Sequence, residues 1–230
     1  MLTGSCGGLG RAMAKMIIEA GGFVIGTGLD ESACSDLGDG FTFVRADLRD
    51  MNAIGQLVET VTETGVNALI NNAGIMAEEP LEETTDEMWA ATLDINLTAA
   101  YRLSRGLLSA LRNSTPASIV NISSQLAYTG GATLTAYGAS KAGLLGFTRS
   151  LAREIGPQVR VNAVAPGPTA TPMTDAHLTD EWVARKTAHL IAQRMGEAHE
   201  IASVVRFLLS ADSSFVNGQT ISVNGGGYLS

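Results

Sequence analysis

Short β-rich runs alternate with helical stretches along this 230-residue chain, and that alternation limits the possible fold more than any other feature. The runs lie at 23–27, 41–45, 66–71, 118–122, 159–164 and 220–223. Between them apolar residues recur with helical period, roughly at 8–20, 51–64, 85–112, 137–155 and 197–210. Strands that are apolar on both faces, with helices between them, call for a parallel sheet covered on both sides. The expected fold class is therefore α/β, a doubly wound parallel sheet of the Rossmann kind. No linker, repeat or low-complexity segment interrupts the pattern, so residues 1–230 are read as one domain. The least regular stretch, about 168–196, reads as a flap over a site.

Composition removes several classes of function. The chain carries 15 Lys and Arg against 23 Asp and Glu, a net charge of −8, and its basic residues are scattered. A nucleic-acid groove or an anionic membrane surface needs clustered positive charge, so neither is an expected partner. The start lacks a basic-then-apolar signal peptide, and no apolar run approaches the roughly 20 residues of a membrane span. The two cysteines, Cys6 and Cys34, show no CxxC or ligand spacing. They read as unbridged thiols of a cytoplasmic protein, Cys6 being a small residue tolerated in a tight loop. His177, His189 and His199 lack metal-ligand spacing, so no metal is expected. No G-x-S-x-G elbow supports a hydrolase.

Two segments carry chemistry. Thr3-Gly4-Ser5-Cys6-Gly7-Gly8-Leu9-Gly10 opens the first helix, and its glycines would let backbone approach a pyrophosphate at the helix N-terminus. A plain tight connection would use the same residues. Tyr137 and Lys141 are four apart, so they share one helix face. A phenol with pKa near 10 is a poor proton donor or acceptor at neutral pH, and a nearby ammonium would favour its ionised form. Ser124 follows the fourth of the six runs and could hold a substrate oxygen. A surface Tyr and Lys beside a strand-end Ser would look the same.

Taken together, these motifs resemble the short-chain dehydrogenase/reductase family, in the family's order and over nearly the whole chain. To the glycine loop and the Tyr137/Lys141/Ser124 set are added Asp47-Leu48, Asn71-Asn72-Ala73-Gly74 and Asn96. Pro166-Gly167, Thr171 and the ending from Gly218 to Gly226 complete the series. The resemblance implies hydride transfer between NAD(P) and a ketone or secondary alcohol. It makes Tyr137 the general acid/base and Ser124 the residue that orients the carbonyl. Lys141 would bond the nicotinamide ribose and lower the Tyr137 pKa, and Asn96 would hold a relay water. Cofactor contacts would come from Gly4, Gly8, Leu9, Gly10, Asp47, Leu48, Asn72, Ala73, Gly74, Pro166, Gly167 and Thr171. Tyr128, Met173 and Trp182 would line the substrate pocket. Homo-oligomers are common among such relatives, and the apolar Leu144, Leu145, Phe147, Leu151 and Ile155 exceed what one buried stripe requires.

The chain departs from the family at its front, where only Met1 and Leu2 precede Thr3. This predicts a missing or truncated first strand, with unpaired ladder on its two neighbours. Asp30, after the second strand, and the absence of a basic residue at Gly7 lean toward NAD over NADP. The small-molecule substrate is not named by the acid/base set. A carrier-borne 3-oxoacyl group would need a basic docking patch, for which Arg112, Arg153 and Arg160 are candidates. The alternatives to an enzyme are a non-catalytic cofactor-binding protein or an inert, N-terminally shortened one.

Overall fold

The computed structural model describes residues 1–171 and 179–229. Seven parallel strands form the main sheet: β1 (Leu2–Thr3), β2 (Val24–Gly28), β3 (Phe41–Arg45), β4 (Ala68–Asn71), β5 (Ala117–Ile122), β6 (Val159–Pro166) and β9 (Thr220–Val223). Their order across the sheet is β3-β2-β1-β4-β5-β6-β9. A small second pair joins β7 (Thr169–Ala170) to β8 (Gly196–Glu197). β5 and β6 are buried along their whole lengths, as the unbroken apolar runs require.

Helices cover both faces. On one side α1 (Gly8–Glu19) packs beside α8 (Ala198–Leu209), where Met13, Ile201 and Val205 meet Leu2 and Val120 of the sheet. On the other lie α2 (Met51–Thr64), α4 (Ala99–Arg112) and, after the one-turn α5 (Leu126–Thr129), α6 (Thr135–Ile155), with Leu57, Leu103, Leu107 and Ile155 against Ile119 and Val161. Local signals set the ends. Asp50 caps α2 by accepting from the Asn52 amide, and Gly65 closes it at φ 90°. Glu197 and Glu200 form a reciprocal capping box on α8. The helical stretch expected at 85–112 is three pieces: α3 (Asp86–Leu93), one π-helical turn (Asp94–Thr98) and α4.

The first strand is short but not missing. Leu2 pairs with Gly26 of β2 and Ile70 of β4, and Thr3 pairs with Thr27. Met1 extends the ladder: its amine donates to the Ala68 carbonyl at 2.7 Å, and its carbonyl accepts from the Ile70 amide. Leu2 is wholly buried.

Three further expectations change. Cys6 and Cys34 are joined by a disulfide, with Cα atoms 5.2 Å apart. β1 and β2 are neighbours, so the turn after β2 comes back beside the glycine loop, and a separation of 28 residues hides that meeting from the sequence. Arg160 is buried and donates to Ser210 and Ser213, which removes it from any docking patch. Leu144, Leu145 and Ile155 are core residues, because α6 is packed on more than one side. Leu2→Ala should cost about 2–5 kcal/mol, as for other fully buried leucines. Urea unfolding of the two chains measures this, and a loss under 1 kcal/mol would show that the slot carries little of the stability.

Candidate active site

A cleft of about 380 Å³ opens where β1, β2, β3 and β4 end. Its lining includes Gly4, Cys6 and Gly7 from the glycine loop and Gly28, Leu29, Asp30 and Ala33 after β2. Ala46, Asp47 and Leu48 follow β3, while Ala73, Gly74 and Ile75 follow β4. Carboxyl ends of strands at a change of winding direction are where doubly wound sheets bind ligands.

The glycine loop is held from below. Thr3 Oγ accepts from the amides of Asn72 and Ala73, both at 2.9 Å, and Asn72 Nδ2 donates to the carbonyls of Thr3 and Gly4. Gly4 has φ +61°, and a Cβ there would press on the Ala73 backbone. A Cβ on Gly10 would overlap the Gly4 carbonyl. The loop then delivers the chain into α1 with no side-chain cap on its first turn. Those amides and the helix dipole suit a pyrophosphate, so the residues present fit a dinucleotide. Gly8, Leu9 and Gly10 shape this turn without lining the cleft, and Asn72 is spent on bracing the loop.

The charged wall is largely self-paired. Asp30 accepts from the Ser32 amide and hydroxyl, both at 2.9 Å, and these bonds hold its carboxyl below the usual range. Asp47 takes three hydrogen bonds from Arg49, with the same effect on its pKa. Arg11 is bound to Asp36 and to the Ala33 carbonyl.

Past Gly74 the cleft meets the catalytic candidates. A Cβ on Gly74 would sit 3.3 Å from both Asn96 Oδ1 and Lys141 Nζ. Lys141 is buried and donates to the Ile122 carbonyl at 2.8 Å. Burial lowers its pKa to about 8. Its Nζ lies 5.7 Å from the centre of the Tyr137 ring. Tyr137 is hydrogen-bonded to Ser124. Burial pushes the phenol pKa up, and the Ser124 bond opposes this only in part. The expected lowering of that pKa by Lys141 is therefore not found: desolvation prevails, and the ammonium is turned to Ile122.

Asn96 lies in the π-helical turn, buried, with its whole amide in use. Oδ1 accepts from the Ile75 amide, and Nδ2 donates to the Ile75 carbonyl and to Ser140 Oγ. Ser140 in turn donates to the Tyr137 carbonyl, and Ser123 Oγ to that of Lys141. Ile75, Ser140 and Ser123 are thus supports that motif reading missed. Spacing does hint at two of them, since Ser123 adjoins Ser124 and Ser140 adjoins Lys141.

The substrate side is less complete. Tyr128 stacks on Tyr228, rings 4.7 Å apart at 10°, a long-range contact with no sequence signal. Trp182 lies on α7 (Asp180–Thr187), with Lys186 Nζ 5.4 Å above its ring. Met173 falls outside the described residues. Pro166 ends β6 and accepts from the Gln125 amide, while Gly167 packs too tightly on Asn224 to carry a Cβ. Thr171 stands just past β7. Cys6 is the cofactor-side residue that motif reading set aside and the cleft includes.

Residues 4–227 match the family model described as enoyl-(acyl carrier protein) reductase. The chain is 38% identical over 236 residues to the 3-oxoacyl-[acyl-carrier-protein] reductase FabG of Vibrio cholerae serotype O1, covering 100% of this chain and 96% of that one. The structure of a short-chain dehydrogenase/reductase (glucose/ribitol dehydrogenase) from Brucella melitensis superposes with a TM-score of 0.94 at 36% identity, covering 100% and 96% of the two chains. A Beutenbergia cavernae protein provisionally assigned as an NAD(P)-dependent gluconate 5-dehydrogenase, with NADP at low occupancy, superposes at 0.92 with 37% identity, covering 98% and 94%. The chain belongs to the short-chain dehydrogenase/reductase family. It is an NAD(P)-dependent oxidoreductase that transfers a hydride between the cofactor and a ketone or alcohol. Among the described residues no helix is long and apolar enough to cross a membrane.

The buried Lys141 makes stability depend on pH with a definite sign. Its pKa is about 8 in the fold and 10.5 unfolded. Below pH 8 both states hold the proton. Between these values unfolding takes up a proton, so stability rises with pH. From pH 7.5 to 9.5 this adds about 2 kcal/mol, which Lys141→Met should lack. Urea midpoints of both chains at the two pH values test it. Equal pH slopes would mean that Lys141 titrates normally.

Proposed function

We propose that Tyr137 is the general acid/base of this oxidoreductase, with Ser124 orienting the substrate oxygen and Lys141 and Asn96 supporting them. The observation that carries this is the Tyr137–Ser124 hydrogen bond beside buried Lys141, whose ammonium lies against Gly74 of the cleft wall. When bound, the nicotinamide supplies or accepts the hydride. In the reductive direction the substrate carbonyl oxygen takes a hydrogen bond from Ser124 and a proton from Tyr137. A phenol gives up its proton more readily as its pKa nears the working pH, so the Ser124 hydrogen bond, which lowers the Tyr137 pKa against the rise caused by burial, favours the transfer. Lys141 is charged below about pH 8 and would bond the ribose hydroxyls. Asn96 holds Ile75 and Ser140 in place, so it positions the other groups.

NAD is the proposed cofactor rather than NADP. Asp30 lines the cleft with a low pKa and could take the ribose hydroxyls, and Arg11 and Arg49 are both engaged by carboxylates, which leaves Arg45, whose charge acts on Asp30, as the cation at this wall. Residues 1–230 are proposed to work as one unit in the cytoplasm, with 168–196, of which 172–178 fall outside the described residues, as the substrate flap. A homo-oligomer is proposed through α4 and α6, where exposed Tyr101 meets Phe147 edge-on. A 3-oxoacyl group on a carrier is a second substrate reading, favoured by the likeness to the FabG enzyme and served by exposed Arg112 and Arg153.

Turnover with a panel of ketones and 3-oxoacyl thioesters tests the reading. Tyr137→Phe should lose about 10²–10⁴ in rate while keeping the melting shift given by the cofactor. Equal rates in parent and variant would remove Tyr137 from the chemistry. NADH should raise the melting temperature more than NADPH at equal concentration, and the reverse order would overturn the NAD assignment.

A further inference from the structure

The bond between Cys6 and Cys34 joins the two walls of the cleft. Cys6 lines it, within the glycine loop. Cys34 is 3% exposed and packs in the apolar layer with Met13, Val24 and Leu37. It ends the short turn Ser32–Cys34, whose neighbours Asp30 and Ala33 line the opposite wall. The Arg11–Asp36 pair spans the same gap, but its side chains are 36% and 66% exposed, and an ion pair so placed holds weakly. Without the bond, residues 29–37 rest on Arg11, which binds Asp36 and the Ala33 carbonyl, and on the packing of Cys34 and Leu37. Chains that live among reducing thiols seldom keep disulfides for stability alone, and those they keep are generally catalytic or redox-sensing.

We propose that Cys6–Cys34 is a reversible redox site that controls dinucleotide binding: the bridged chain holds the adenosine-side wall in place and binds the cofactor, and the reduced chain binds it more weakly. The inference rests on the reading of the cleft as the cofactor site. The reductant is a thiol, either a small molecule or a protein. Its thiolate attacks Cys6 Sγ from the cleft, because Cys34 is covered. The Cys6–Cys34 bond breaks, and Cys34 leaves as a thiolate and takes a proton. A second thiol then displaces Cys6 from the mixed disulfide. The protein disulfide plus two thiols give two protein thiols plus one external disulfide, a two-electron exchange that an external disulfide reverses. A dinucleotide in the cleft would cover Cys6 and slow the attack. By linkage, whatever factor the bridge adds to cofactor affinity, the cofactor adds to the stability of the bridge.

The full chain is oxidised with glutathione disulfide or reduced with dithiothreitol, and the reagent is removed. Each form is alkylated with N-ethylmaleimide in denaturant and weighed by intact mass, and each is titrated with NADH and NADPH by fluorescence. The oxidised chain should carry no adduct and the reduced chain two. The oxidised chain should bind its dinucleotide at least about fivefold more tightly. Saturating dinucleotide should slow the appearance of adducts during reduction. Cys34→Ser and Cys6→Ser should each bind like the reduced chain and ignore oxidant, the second variant serving if the first fails to fold. Two adducts after oxidation, or equal affinity in the two forms, would overturn the proposal and leave the cofactor site standing. No dinucleotide binding in either form would overturn both.

Discussion

The hydroxyl of Thr3 accepts two amide hydrogens from the turn after β4, and most of the site depends on that contact. It ties the last residue of the central strand to the first residues beyond its neighbour. Asn72 returns the tie through two carbonyls of the glycine loop. The loop is thereby held at a fixed height over the sheet, with the N-terminus of α1 facing the cleft. On the far side the same turn runs through Gly74 and Ile75 to Asn96, and from there to Ser140, Tyr137 and Lys141. The glycine loop and the Tyr137 backbone are therefore joined, through the turn after β4, by hydrogen bonds of 2.7–3.0 Å. A reaction that needs a hydride and a proton delivered to one carbonyl requires such rigidity.

Burial does much of the electrostatic work. Lys141 has its ammonium against a carbonyl and few other polar neighbours, so its pKa falls. Tyr137 is pushed the other way by the same cause. The reading from spacing treated the pair as a simple ion–phenol couple, in which charge would win. Position four apart on a helix says that two side chains share a face; it does not say how much water reaches them. The outcome is a phenol held further from its phenolate than in water, with the Ser124 hydrogen bond working the other way.

Much of the fold and of the site was legible in order along the chain. The alternation of apolar runs and amphipathic helices specified the parallel sheet, and the glycine, Asn-Ala-Gly, Ser and Tyr-x-x-x-Lys segments each lie at strand ends or on the helix that faces the cleft. Gly4, Asp30, Asp47, Leu48, Ala73 and Gly74 do line the pocket. What was misread involved contacts between distant segments. The first strand was judged by its length, yet it is not missing: Leu2 pairs with both neighbouring strands and Thr3 with β2. Arg160 was a candidate for a docking patch, yet its strand is covered by both neighbours and its guanidinium finds the carbonyls of the 210–213 turn.

The sequence by itself determined the class: local periodicity sets strands and helices, and residues that must act together in hydride transfer recur at spacings that helices and strand ends convert into proximity. Only the tertiary structure decided which of those residues touch. Asn72 braces the glycine loop, Asn96 spends its amide on Ile75 and Ser140, Tyr228 covers Tyr128, and Cys34 meets Cys6. Each of these depends on where two separate parts of the chain come to lie, which is set by the packing of the whole sheet and leaves no trace in either segment alone.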